Sequence, residues 1–152
     1  MSHLVALFTS KYFLAPTIGW AVAQLLKMII DTFRSGFSKE RFKSNTGMPS
    51  SHGAIVSALI IITGLLKGTG SFEFAVVLFF GSIVLFDATG VRFETQRQGK
   101  ALNNLNDERL EEGKQPLDII RFKEKLGHNM IEIIVGCLIG IVSAIVVYHL
   151  PI

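Results

Sequence analysis

From Met130 to Leu150 the chain carries one acidic side chain, Glu132, and neither lysine nor arginine. A helix crosses the hydrocarbon core of a bilayer with roughly 20 apolar residues, and this stretch meets that length. Three other stretches repeat the pattern less cleanly. Tyr12 to Phe33 has Pro16 near its start and Lys27 and Asp31 near its end; Ala54 to Leu66 is short for a span unless its flanks extend it; Phe72 to Phe86 is closed by Asp87. Lipid supplies no partner for an unpaired backbone group, so each stretch is expected to be helical. The pattern leaves open whether the residues before Pro16 form a separate short helix. The expected fold is all-α: a polytopic membrane helical bundle of about four transmembrane helices, in one domain covering 1–152.

The polar residues are concentrated between these stretches, in Arg34 to Ser51 and Arg92 to Gly127. The second segment mixes both signs of charge and is expected to form one or two solvated helices, with Pro116 as a start signal. Basic residues gather in the same two places: Arg34, Lys39, Arg41 and Lys43 in the first, and a larger set in the second, against Lys11 and Lys67 on the other side. The positive-inside tendency therefore puts both long polar loops in the cytoplasm, with 92–127 as a cytoplasmic helical insertion. A net charge of +3 is too small and scattered for a nucleic-acid partner. The single cysteine, Cys137, rules out an internal disulfide and a cysteine-based zinc site and reads as a packing residue. The Leu4 to Phe8 patch lacks a cationic start and is not expected to be a removable signal peptide. Glycine pairs at Gly64/Gly68 and Gly136/Gly140 have the spacing of close helix contacts.

Four constellations carry chemistry. Lys27 and Arg34 lie almost two helical turns apart on nearly one face, and Asp31 shares that face; the pattern fits either a Lys27–Asp31 ion pair or two cations converging on a phosphate. Gly47-Met48-Pro49-Ser50-Ser51-His52-Gly53 is a turn followed by a capped helix start, where free backbone N–H groups favour an anion and His52 can donate a proton. His128 and Glu132 share a helical face at i, i+4, and a carboxylate inside an apolar span needs a partner. The carboxylate can orient one ring nitrogen and leave the other as nucleophile or base. Asp87 to Arg92 ends the third stretch, with Gly90 as a helix stop and Arg92 emerging at the interface. In a four-span topology all four constellations reach one membrane face.

Together these residues resemble the type-2 phosphatidic acid phosphatase superfamily, which also includes vanadium-dependent haloperoxidases. Lys27 and Arg34 match its first motif, with Ser35 in place of the usual proline. Pro49-Ser50-Ser51-His52 matches Pro-Ser-Gly-His, and His128 with Glu132 matches the third motif, whose acid is usually Asp; no Ser-Arg stands at the required distance. Asp87 to Arg92, Gln98 to Asn103 and Leu126 to Glu132 resemble the recurring segments of a divergent branch of small membrane proteins. The resemblance runs from Lys27 to Gly140.

The resemblance implies metal-independent hydrolysis of a membrane lipid phosphate, monoester or pyrophosphate, with no cofactor. His128 is the implied nucleophile, oriented by Glu132, and His52 the implied acid and base. Lys27, Arg34, Ser50, Ser51 and Arg92 hold the phosphate, and Asp87 and Asp31 support them. Arg92 stands in for the missing third-motif arginine. The alternative is a protein that binds or transports a lipid phosphate without turnover; haloperoxidase chemistry fits poorly in so small a chain. The expected setting is a bacterial plasma membrane. Four short spans wall a site thinly, which leaves room for a homodimer.

Overall fold

The computed structural model describes residues 3–35, 47–122 and 129–151. Among them are six helices: α1 (His3–Phe8), α2 (Lys11–Ser35), α3 (Ser51–Lys67), α4 (Phe72–Thr89), α5 (Val91–Glu111) and α6 (Met130–His149). The four apolar stretches are α2, α3, α4 and α6. The chain before Pro16 is divided: α1 stops at Phe8, and α2 begins at Lys11 and runs through Pro16. Pro16 removes one backbone donor, which membrane helices tolerate where neighbours cover the freed carbonyl.

Three segments containing α2, α4 and α6 are long and apolar enough to cross a membrane, and α3, with 17 residues, is a shorter apolar helix. At 1.5 Å per residue α3 spans about 25 Å, a little less than the hydrocarbon core. It starts where Ser50 accepts the Gly53 N–H and stops at Gly68, whose φ of 83° ends the helical path.

α3 is the central helix, packed against α2, α4 and α6. The side chains at its contacts are small. Ala15, Ala58, Ile62, Ala144 and Val147 form the buried core, and Gly19, on α2, lies close enough that a Cβ there would sit 3.3 Å from the Ala54 carbonyl. Gly140 packs still tighter, because a Cβ on it would run into the Ala54 carbonyl and the Ser57 hydroxyl. Between lipid-facing helices there is no hydrophobic drive to associate, so close backbone approach through small residues supplies the packing. The Ser57 hydroxyl reinforces it, lying 3.0 Å from the Cys137 carbonyl on α6 and 2.7 Å from its own-helix Gly53 carbonyl.

The two glycine pairs differ. Gly136 and Gly140 are both at the α3–α6 contact. Of the other pair, only Gly64 meets a neighbour, the Phe74 ring, while Gly68 is a helix stop with open space around it.

Residues that face each other fix the directions. Gly53 meets Ile133 and Cys137, and Gly140 meets Ala54 and Ser57, so α3 and α6 run parallel. Gly81 meets Val56 and Ile60 while Phe74 meets Gly64, so α4 runs antiparallel to α3. At the far end Lys11 Nζ donates to the Tyr148 carbonyl at 2.8 Å, which sets the start of α2 beside the end of α6. The end of α2, the start of α3, the end of α4 and the start of α6 therefore share one end of the bundle. α4 packs on α3 and, less extensively, on α5, and turns Phe79, Phe80, Ile83 and Phe86 outward.

α5 continues from α4 after Gly90 and is polar. Pro116 does not start a helix in the described residues. Residues 114–122 instead lie along α5 as a non-helical strap, because α5 side chains take its backbone groups. Asn103, 2% exposed, donates to the Phe122 carbonyl and accepts the Phe122 N–H, both at 3.0 Å. Asn106 accepts the Leu117 N–H at 2.7 Å, and Arg121 makes a two-pronged pair with Asp107. Replacing Asn103 with alanine leaves both Phe122 groups unpaired, a local cost of about 1–3 kcal/mol. Limited proteolysis should then cut between Gly113 and Phe122 markedly faster than in the unaltered protein, while α2, α3 and α6 remain intact.

Candidate functional site

Pro49, Ser50 and Ser51 form the turn that opens α3, and the turn is held from two sides. On the α6 side the Ser50 N–H donates to the Glu132 carbonyl at 2.9 Å. Gly136 makes this approach feasible, since any Cβ there would collide with the Ser50 carbonyl. On the α2 side lies Gly47, with a φ of 115°, and its Cβ direction points to Lys27 Cδ and Asp31 Oδ2, each 3.8 Å away. The positive φ is a backbone state that glycine adopts without penalty.

Lys27 is the central feature. It is 3% exposed, and its Nζ has no hydrogen-bond partner among the described residues. Asp31 and Glu132 act on it electrostatically, one from its own helix and one from α6. Lys27 and Asp31 are four residues apart, as their helical spacing predicts, and yet no ion pair within contact distance joins them among the described residues. A buried ammonium held by through-space attraction alone retains unused donors.

Two helix starts meet beside it. α3 is capped by Ser50, with Ser51 buried and His52 half-buried in its first turn. α6 is capped by Asn129, whose side-chain oxygen accepts the N–H groups of Ile131 and Glu132 at 3.1 and 3.5 Å. Both helices thus direct their positive ends to the same place, an arrangement that favours an anion.

The structure brings together Lys27, Asp31, Ser50, Ser51, His52 and Glu132. His128 lies outside the described residues, directly before the Asn129 cap. Arg34 belongs to the last turn of α2, and its side chain is likewise outside the description. Arg92 stands just past the end of α4, at the end of the bundle where α3 and α6 begin. Its Nε pairs with Asp87 Oδ2 at 2.7 Å, both side chains about half exposed, at the start of an α5 whose extensive packing is with α4. A short acidic partner five residues back satisfies it locally.

Two supporting residues were not singled out in the sequence. Asn129 is recognisable as a polar cap directly before an apolar run. Gly136 was visible only as half of a glycine pair, a signal with no indication of which backbone it meets. Among the described residues no group of three or more His, Cys, Asp or Glu is gathered to hold a metal ion.

Fold and site define an integral membrane protein of helical-bundle type with a charged cluster at one end of the bundle. The family described as "Divergent PAP2 family" matches residues 8–143. The chain belongs to that family. It is also similar to the "Uncharacterized membrane protein YuiD" of Bacillus subtilis (strain 168), 38% identical over 119 residues, covering 70% of this chain and 73% of that protein. No solved structure matches it.

Proposed function

We propose that the protein hydrolyses the phosphate of a membrane lipid, a phosphomonoester or a pyrophosphate, through a phosphohistidine. The observation that carries this reading is the Lys27 ammonium, buried with unused donors beside two helix starts. Burying a charge is costly unless something of opposite sign compensates it, and a phosphoryl group would do so with several oxygens at once. Family membership supports the chemistry. His128 attacks phosphorus, the bond to the leaving alkoxide breaks, and His52 hands that oxygen a proton. His52 then takes a proton from water, which displaces phosphate from His128. Lys27, Arg34 and the N–H groups near Ser51 hold the equatorial oxygens, where charge builds in the transition state. Glu132 orients His128, four residues before it in the sequence.

The clustering of basic residues in 34–51 and 92–127 supports a cytoplasmic site, and the Bacillus relative supports a bacterial plasma membrane. Residues 1–152 are read as one phosphatase-like domain.

The test is phosphate release by purified protein from phosphatidate, phosphatidylglycerol phosphate and a polyprenyl phosphate without added metal. Release that vanadate inhibits is expected, with a roughly thousandfold loss in His128→Ala. Full turnover by that variant would exclude His128 as nucleophile. One observation favours a second reading, binding without turnover: the pairing of Arg92 with Asp87 occupies the cation expected to replace the third-motif arginine. Saturable lipid-phosphate binding with no release would establish it.

A further inference from the structure

A groove of about 410 Å³ runs between α2 and α3, with Phe13, Pro16 and Trp20 on one wall and Ile55 and Leu59 on the other. Its lining is predominantly apolar. Trp20 is 45% exposed within it.

The register of both walls leads to the charged cluster. Phe13, Pro16, Trp20 and Lys27 follow one another at three, four and seven residues, so they form a single stripe along α2. On α3, His52, Ile55 and Leu59 follow at three and four residues and form a matching stripe. Because α2 and α3 run antiparallel, both stripes leave the cluster in the same direction. By helical rise, Ile55 is about 5 Å below His52, Trp20 about 10 Å below Lys27 and Phe13 about 21 Å below it. The groove lining from Phe13 to Trp20 thus covers about 10 Å along α2, and the buried cation stands about 10 Å further along the same stripe.

We propose that this groove is the subsite for the hydrocarbon chain of a long-chain lipid phosphate, entered sideways from the bilayer, with the head group at Lys27 and His52. The assignment of the head-group end rests on the proposed function; that of the tail rests on the groove. Two features select this occupant. The groove lies on membrane-spanning helices, where the surrounding medium is itself hydrocarbon. It is continuous in register with a buried positive charge, so the molecule that fills it carries a negative charge at one end only. A neutral lipid satisfies the lining but leaves the Lys27 donors unused, and a soluble phosphate engages Lys27 but leaves the groove unused.

Trp20 is the single tryptophan of the chain, so its fluorescence reports the groove directly. The full-length protein is placed in phosphatidylcholine nanodiscs containing either phosphatidate or phosphatidylcholine brominated along the acyl chain. Brominated phosphatidate should reach half-quenching at about a tenfold lower mole fraction than brominated phosphatidylcholine, and Lys27→Met should remove the difference. Equal quenching by the two lipids overturns the proposal. So does the absence of quenching by both, which would show a second copy or another segment covering the groove.

A kinetic arm separates this inference from the hydrolytic reading. Ile55→Phe narrows the groove, and the ratio of kcat/KM for long-chain over short, water-soluble phosphatidate should fall about tenfold. An unchanged ratio overturns the subsite even if hydrolysis is established. Preferential quenching without phosphate release upholds the subsite and refutes the hydrolysis.

Discussion

Replacing Lys27 with methionine should lower kcat/KM for lipid-phosphate hydrolysis by roughly 10²–10³-fold, the size of effect seen when one preorganised donor to a developing negative charge is removed. Methionine keeps the length and apolar stem of lysine and discards only the ammonium. The variant no longer keeps a cation away from water but leaves Asp31 and Glu132 without their countercharge; both carboxylates are only partly buried, so the bundle should survive with a lowered melting temperature. The ammonium has no hydrogen-bond partner among the described residues to lose. Lys27→Arg should recover activity only partly, since a planar guanidinium cannot occupy the space of a compact ammonium at the same distance. The measurement is steady-state phosphate release, alongside thermal melting in detergent. Activity within threefold of the unaltered protein would remove Lys27 from the site and with it the main support for a phosphate ligand.

The second large effect is structural. Gly136→Ala should destabilise the bundle by about 3 kcal/mol, the upper part of the range for overpacking. The added Cβ meets backbone, not a flexible side-chain end: the Ser50 carbonyl lies directly in its path, and the Ser50 C and N atoms follow at 3.1 and 3.2 Å. The turn can escape only by leaving α6, which breaks the hydrogen bond from the Ser50 N–H to the Glu132 carbonyl. Activity should therefore fall together with the melting temperature, which should drop by roughly 10 °C. Gly70→Ala is the matched control. Gly70 has open space around it and no positive φ, so the same methyl should leave the melting temperature within about 1 °C. If the two variants melted together, the close α3–α6 contact would be wrong.

These two residues were not equally visible beforehand. Lys27 could be picked out from sequence, because a lysine within an apolar span is expensive by its nature, whatever packs around it. Its spacing to Asp31 and Arg34 follows from helix geometry. The serines before α3 were recognisable as caps for the same local reason, and the core of each apolar helix was recognisable from hydropathy, with ends a few residues further out. The structure extended α3 to Ser51 and Lys67 and α4 to Thr89.

Gly136 could be noticed but not interpreted. Nothing along α6 says that its carbonyl-facing neighbour is Ser50. The difference between the glycine pairs at 64/68 and 136/140 is equally silent, because the spacing is identical while the surroundings are not. Arg92 was expected to supply the missing third-motif arginine, and the contact the structure adds is its pairing with Asp87, five residues back. Pro116 was expected to open a helix, and the side chains of Asn103 and Asn106 instead hold that segment as a strap.

The division has one physical origin. In a bilayer, hydropathy and backbone hydrogen bonding settle which segments are helices and where each ends, and both are properties of short stretches of chain. The choice of neighbours is another matter, since lipid tails are as apolar as the helices they surround. It depends on how closely the small residues of one segment fit the backbone of another, and that fit exists only once the segments have met. Spans, caps and the buried lysine belong to the first kind of information. The seating of Ser50 on Gly136 and the groove between α2 and α3 belong to the second.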